Sequence, residues 1–194
     1  MTRVTSPEGA TLRLFAAVEP DATARETLDA LQGDWLRAIG IVAGVRPLPS
    51  ESLHLTLRFF GSTAASRVES LAKGLQSLAA QATPCTVHLQ GLEYWPPRAP
   101  RVVVAVFDAP PALPALASAI EHLAQQLGFP PEPRPFRAHV TLARSNGVPL
   151  PAYVAPLPQL TMPACNMSLM QSRTHSTGAQ YEALDRFALG APAR

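Results

Sequence analysis

One pattern occurs twice in this chain and restricts its fold more than any other feature. Residues 53–57 (LHLTL) and 138–142 (AHVTL) each place a histidine two positions before a threonine, among apolar side chains. Successive side chains of a β-strand point to opposite faces, so the histidine and threonine share one face. Leu55 and Val140 then point to the other face, into a core. We therefore predict two half-buried strands that each present an imidazole beside a hydroxyl.

The rest of the chain divides into short segments with strand or helix periodicity. Alternating apolar residues predict a strand at 11–18, and apolar residues at helical spacing predict a helix between Asp21 and Gly40. The first histidine strand is predicted at 52–60 and is closed by Gly61. The remaining predicted segments are a helix with apolar residues at 68, 71, 75 and 78, strands at 85–93 and 101–108, a helix from Pro114 to Gly128, the second histidine strand, and strands at 166–172 and 180–189.

The order of these segments repeats along the chain. In both halves a helix ends at a glycine, a proline-containing loop follows, and the strand with the histidine and threonine comes next. Internal repetition of this kind predicts two similar halves related by a pseudo-two-fold axis. We expect an α+β fold in which two antiparallel-sheet lobes with outer helices flank a central cleft, all within one domain spanning residues 1–194.

Charge and hydropathy limit the classes of function. The net charge is +2, from 16 Lys and Arg against 14 Asp and Glu, which is small for a protein that neutralises many phosphates along a duplex. Contact with a nucleic-acid end or a single nucleotide is favoured instead. No apolar run approaches the ~20 residues that span a bilayer, and residues 1–10 lack the pattern of a signal peptide. We expect a cytoplasmic monomer without membrane contact.

Two imidazoles and two hydroxyls that face one cleft suit the opening of a phosphodiester. In-line displacement at phosphorus needs a base on the entering oxygen and an acid on the leaving oxygen. His54 and His139 can divide this work, since an imidazole has a pKa of about 6.5. The hydroxyls of Thr56 and Thr141 can donate to the phosphate oxygens.

The sequence gives no reason to expect a metal or another cofactor. Carboxylates do not cluster in the pattern of a two-metal site. Cys85 and Cys165 lack the spacing of metal ligands, and we expect both to be buried small side chains.

Residues 52–61 (SLHLTLRFFG) and 135–144 (PFRAHVTLAR) resemble the paired signatures of the 2H phosphoesterases. Within that superfamily the chain is most similar to the bacterial and archaeal RNA 2′,3′-cyclic phosphodiesterases, also called 2′-5′ RNA ligases. The resemblance implies a bilobal fold and hydrolysis of a terminal 2′,3′-cyclic phosphate to a 2′-phosphate. By resemblance His54 is the acid that protonates the 3′ oxygen, His139 is the base that activates water, and Arg144 contacts phosphate. The expected partners are RNA 3′ ends or nucleoside 2′,3′-cyclic phosphates.

Several alternatives stay open at this point. With the two histidine roles exchanged, the product would be a 3′-phosphate. A 2H enzyme could instead act on an ADP-ribose cyclic phosphate or a 2′-5′ linked oligonucleotide, and the resemblance also implies weak reversible RNA ligation. From a different class, the chain could be a non-catalytic nucleotide- or RNA-binding module. Arg58 lies four residues after His54 and so nominally shares its strand face. The corresponding position is variable in the family, and we assign Arg58 no role.

Overall fold

A computed structural model describes residues 11–146, 148–151, 156–175 and 178–190 of the chain. These residues form nine strands, three α-helices and a short 3-10 turn. In chain order the elements are β1 (Thr11–Val18), α1 (Ala22–Ile39), β2 (Val45–Pro47), the 3-10 turn (Ser50–Ser52), β3 (Leu55–Ala64), α2 (Ala65–Gln81), β4 (Cys85–Trp95), β5 (Val102–Phe107), α3 (Ala112–Gln126), β6 (His139–Ser145), β7 (Thr161–Ala164), β8 (Asn166–His175) and β9 (Gly178–Ala188).

The strands pair in the order β7-β4-β5-β6-β3-β1-β8-β9, and β2 pairs with β6 beside this path. All of these pairings are antiparallel. β3 and β6 are joined by one residue pair, Leu55 with Val140, so the sheet divides there into two lobes. α1 connects β1 to the first motif strand, just as α3 connects β5 to the second. The predicted α+β fold with two similar antiparallel lobes is confirmed.

The two helices that lead to the motif strands, α1 and α3, each pack on the lobe opposite to the strand before them. α1 follows β1 but contacts β6, where the side-chain amide of Gln32 donates to the carbonyl of Leu142 at 2.7 Å. From the same helix, Nε1 of Trp35 donates to the hydroxyl of Tyr94 on β4 at 2.9 Å. α3 follows β5 but packs against β3 and α2. One continuous hydrophobic core therefore runs through both lobes.

Both motif strands carry a β-bulge directly after the threonine. In β3 the register against β1 shifts at Leu57, which is an extra residue without a direct partner. In β6 the register against β5 shifts at Leu142 in the same way. The bulge is therefore part of the repeated unit. An extra residue in a strand reverses the face that every later side chain occupies.

The first predicted strand and helix are confirmed almost to the residue. β1 spans the predicted positions 11–18, and α1 begins and ends beside the predicted caps. The carboxylate of Asp21 accepts a hydrogen bond from the backbone N–H of Ala24 at 2.8 Å, which satisfies one of the free donors of the first turn. Gly40 ends the helix at a φ of 69°, where a residue without a Cβ is favoured.

Other boundaries differ from the sequence-based expectation. The strand predicted at 52–60 begins later, because residues 50–52 form the 3-10 turn, and it continues through Gly61 to Ala64. The continuation has a physical cause, since these residues pair with the start of β1. The expectation of two buried cysteines is also wrong, since Cys85 is partly exposed and Cys165 is exposed. Among the described residues, no helix has the length and apolar character needed to cross a membrane.

Candidate active site

A cleft of about 1450 Å³ is lined by residues of both lobes. His54 and Thr56 enter it from the first motif, and His139 and Thr141 enter it from the second. Arg144, farther along β6, lines the same cleft. The structure therefore brings together the five residues that the sequence selected for phosphate chemistry.

Both imidazoles are held by the same hydrogen bond. Nδ1 of His54 lies 2.7 Å from the carbonyl oxygen of Ser52, and Nδ1 of His139 lies 2.7 Å from the carbonyl oxygen of Arg137. A carbonyl oxygen can only accept, so each Nδ1 carries a hydrogen and donates it. In the neutral ring, Nε2 is then the nitrogen that can take up a proton.

The two rings have different aromatic neighbours. The His54 ring centroid lies 4.7 Å from that of Phe15 and 4.9 Å from that of Tyr181, which meets it edge-on. The His139 ring centroid lies 4.7 Å from that of Trp95, also edge-on. Two aromatic side chains thus pack against the first imidazole, whereas one indole packs against the second.

Burial and neighbouring cations disfavour the charged form of both histidines. Burial lowers the pKa of His54 to about 4, and the positive charges of Arg144 and His139 act in the same direction, against the hydrogen bond to Ser52. Burial also lowers the pKa of His139, with further contributions from the charges of Arg137 and Arg144. In the free protein both imidazoles therefore favour the neutral form. A bound anion between them would stabilise an imidazolium.

A cluster that sequence reasoning missed supports the second histidine. The carboxylate of Glu93 accepts hydrogen bonds from the guanidinium of Arg137 at 2.6 Å and from Nε1 of Trp95 at 2.8 Å. These two bonds lower the pKa of Glu93. The guanidinium carbon of Arg137 lies 5.1 Å from the Trp95 ring centroid. The indole that contacts His139 is thus fixed from two sides. The sequence does hint at this cluster, because Glu93 and Trp95 lie two residues apart on one strand and therefore share a face.

The β-bulges determine which arginine shares a face with the histidines. Arg144 lies five residues after the second motif histidine, and the extra residue Leu142 returns it to the histidine face, where it is exposed. For Arg58 the nominal alternation is wrong, because it also follows a bulge. Its side chain is 6% exposed, pairs with Glu121 of α3 and donates to the carbonyl of Pro130 at 2.6 Å. Arg58 therefore borders the cleft at α3 and has a structural role.

The cleft is not symmetric in its charge. Phe59 occupies in β3 the position that Arg144 occupies in β6, five residues after the histidine, and both line the cleft. The wall also carries the exposed cations Arg13 of β1, Arg134 and Arg137, the last two of which pair with carboxylates. Within the described ranges, no group of three or more His, Cys, Asp or Glu side chains is arranged to hold a metal ion.

Comparisons with known proteins identify the family. The sequence model described as the 2′-5′ RNA ligase superfamily matches residues 18–175. The chain is 32% identical to an RNA 2′,3′-cyclic phosphodiesterase of Thermus thermophilus, over 75% of this chain and 76% of that protein. It is 30% identical to an RNA 2′,3′-cyclic phosphodiesterase of Archaeoglobus fulgidus, over 69% of this chain and 72% of the other.

Solved structures show the same fold. The protein TT0787 of Thermus thermophilus superimposes with a TM-score of 0.83 at 29% identity, covering 92% of this chain and 98% of that one. LigT of E. coli, solved in complex with 3′-AMP, superimposes with a TM-score of 0.79 at 26% identity, covering 93% of this chain and 99% of that one.

Proposed function

This chain belongs to the 2′-5′ RNA ligase superfamily, and from that premise we propose that it hydrolyses the 2′,3′-cyclic phosphate at RNA ends to a 2′-phosphate. The observation that carries the proposal is the pair of equivalent imidazoles in one cleft. Each ring is fixed through Nδ1 by a backbone carbonyl, which leaves two Nε2 atoms for proton transfer. The relatives from Thermus thermophilus and Archaeoglobus fulgidus carry the name of this activity.

In the proposed reaction His139 is the base and His54 is the acid. Nε2 of His139 takes a proton from water as the water oxygen forms a bond to phosphorus. The bond between phosphorus and the 3′ oxygen breaks, and Nε2 of His54 gives its proton to that oxygen. The product is a 2′-phosphomonoester, and each histidine ends in the protonation state in which the other began. A proton exchange with solvent then restores the starting state.

Thr56, Thr141 and Arg144 stabilise the phosphate in this proposal. Each threonine lies two residues after its histidine and lines the cleft, so its hydroxyl can donate to a non-bridging oxygen, where negative charge accumulates. The guanidinium of Arg144 supplies a positive charge that already affects both imidazoles. The substrate thus brings the anion that the depressed histidine pKa values require. Protonation of the acid is coupled to binding, because the phosphate offsets the charge of Arg144.

Each of the other candidate functions predicts a different result when the protein is given an RNA cyclic phosphate. A 2H enzyme for a different substrate would keep both histidines but would not turn over an RNA cyclic phosphate. A nucleotide-binding module would bind the RNA end without hydrolysis. Weak ligation would use the same opening of the cyclic phosphate, with a 5′-hydroxyl in place of water: its oxygen bonds to phosphorus, the bond to the 3′ oxygen breaks, and a 2′-5′ linkage results. We propose it only as a secondary activity.

The decisive experiment is hydrolysis of an RNA oligomer with a 2′,3′-cyclic phosphate end, in EDTA, with the product identified by phosphorus NMR. We expect a 2′-phosphate. A 3′-phosphate would reverse the two histidine roles, and binding without turnover would contradict the proposed activity. His54→Ala and His139→Ala should each reduce kcat by at least ~100-fold, the usual size of a general acid or base contribution. His122→Ala is the matched control, since His122 is exposed on α3 and should retain full activity.

A further inference from the structure

The short strand β2 places one arginine directly beside another. Arg46 on β2 is the Cα partner of Arg144 on β6. The pair lies between two backbone hydrogen bonds, from Asn146 N–H to the Gly44 carbonyl at 2.9 Å and from Leu48 N–H to the Leu142 carbonyl at 2.8 Å. Directly opposed residues of an antiparallel pair point to the same face, with Cβ atoms about 5 Å apart. The backbone therefore holds the two arginine side chains on one face of the sheet, directly opposite each other.

Within the described residues, neither arginine of this pair is neutralised by a carboxylate. Both are exposed, and neither forms an ion pair with a carboxylate in the described part of the chain. Like charges directly opposed across two strands destabilise the sheet, and a bound anion offsets that cost. The planar guanidinium with its fixed donors is the side chain best suited to a phosphate.

The arginine pair continues the wall of the reaction cleft. Arg144 lines the cleft, and Arg46 shares its face as its direct partner; Leu48, the residue after β2, also lines the cleft. Arg46 therefore lies on the cleft side of the sheet, one strand beyond Arg144. Its position is next to the cleft and outside the group of residues that surround the two imidazoles.

We propose that Arg46, directly opposite Arg144, provides a subsite that binds the phosphate that precedes the terminal nucleotide of an RNA strand, while Arg144 contacts the cyclic phosphate itself. This inference rests on the proposed function, because a bound RNA end continues from its 5′ oxygen into that phosphate. A nucleoside 2′,3′-cyclic phosphate has no such group. The subsite therefore favours an RNA strand over a mononucleotide, and Arg46 is the residue that makes the distinction.

The test compares Arg46→Gln with the wild-type protein on two substrates, an RNA hexamer and a mononucleoside, both ending in a 2′,3′-cyclic phosphate. We expect kcat/KM for the hexamer to fall roughly three- to tenfold, through KM, while kcat/KM for the mononucleoside stays unchanged. The slope of log(kcat/KM) against log[salt] for the hexamer should become shallower by about 0.7, the value for one phosphate contact on a single strand. Arg37→Gln is the control, since Arg37 is exposed on α1 and pairs with Asp34.

Binding separates this inference from the proposed function. Anisotropy of a fluorescein-labelled hexamer with a 2′-phosphate end measures the subsite whether or not turnover occurs. Weaker binding by Arg46→Gln than by Arg37→Gln would support the subsite even if the wild-type protein hydrolysed neither substrate. Equal binding by both variants, or an equal loss of kcat/KM on hexamer and mononucleoside, would overturn it. In that case Arg46 would serve only to keep the free edge of β2 from pairing with other chains.

Discussion

The hydrogen bond from each Nδ1 to the carbonyl two residues earlier decides which nitrogen of the ring can react. Two opposing effects act on the pKa of each imidazole. The hydrogen bond to the carbonyl favours the charged ring, whereas burial and the charge of Arg144 favour the neutral ring. For His54 burial and the charge of Arg144 prevail and the pKa falls to about 4. The proposed acid–base catalysis, with one charged and one neutral ring, would therefore depend on the charge of the substrate.

This balance predicts a shifted pH dependence. kcat/KM reports the free protein, in which both histidine pKa values lie below the ordinary value of about 6.5. We expect kcat/KM to reach its maximum below pH 6.5 and to fall as the pH rises, because the protonated acid disappears. At saturating substrate the phosphate anion raises the pKa of the imidazole, so the kcat profile should lie at higher pH. Steady-state kinetics between pH 4 and 9 measure both profiles.

Arg144→Gln provides a check on this interpretation. Removing the guanidinium takes away a charge that lowers the pKa of both imidazoles. The alkaline limb of kcat/KM should then move to higher pH, even though the rate itself is reduced. An unchanged limb would mean that Arg144 does not act on the histidines through its charge.

At the scale of elements, the position of β2 depends on a close approach at Gly44. Its φ is +83°, and a Cβ there would lie 2.5 Å from the backbone oxygen of Asn146. Gly44→Ala should therefore lower the free energy of unfolding by about 2 kcal/mol, because both the backbone conformation and the contact are unfavourable. Gly91→Ala is the matched control, since a Cβ at Gly91 meets nothing within 4 Å. Urea denaturation of the two variants gives the comparison, and equal loss would contradict the argument.

The motif strands show how far sequence reasoning reaches. Alternation over three residues is a local property, so the sequence correctly placed His54 and Thr56 on one face. It failed at Arg58, because the bulge at Leu57 is set by pairing with β1, which the sequence does not reveal. Arg144 was selected by family resemblance, and only the second bulge explains why it faces the cleft.

Short strands, and contacts between residues far apart in the sequence, could not be predicted from the sequence either. β2 and β7 contain three and four residues, too few for a periodic pattern. The contact between Arg137 and Glu93 joins residues 44 positions apart, so it depends on the pairing of strands in the complete sheet. The overall architecture was predictable because the repeated order of helix, loop and motif strand needs no knowledge of such contacts.

At the scale of the whole molecule, the histidines link stability to acidity. An unfolded histidine has a pKa of about 6.5, whereas burial lowers the pKa of His54 in the folded protein to about 4. The unfolded chain therefore binds more protons below pH 6.5, and the free energy of unfolding should decrease as the pH falls from 6.5 towards 4. His54 contributes no more than about 3 kcal/mol to this loss.

Denaturation of His54→Gln at several pH values tests this linkage. The variant lacks the titrating ring, so its stability should depend less on pH between 6.5 and 4 than that of the wild-type protein. His122→Gln is the control, because His122 is exposed. If the two variants had the same pH dependence, acid destabilisation would have to originate elsewhere in the chain.

The pairing of β1 with β8 also has a consequence for biosynthesis. Phe15 and Met170 are direct partners in the sheet, although they lie near opposite ends of the sequence. While the ribosome is still elongating the chain, the lobe that carries the first histidine lacks two of its strands. Pairing between strands so far apart in the sequence slows folding, and it leaves a strand edge unpaired in the nascent chain. The cleft is therefore complete only after β8 and β9 have been synthesised and β8 has paired with β1.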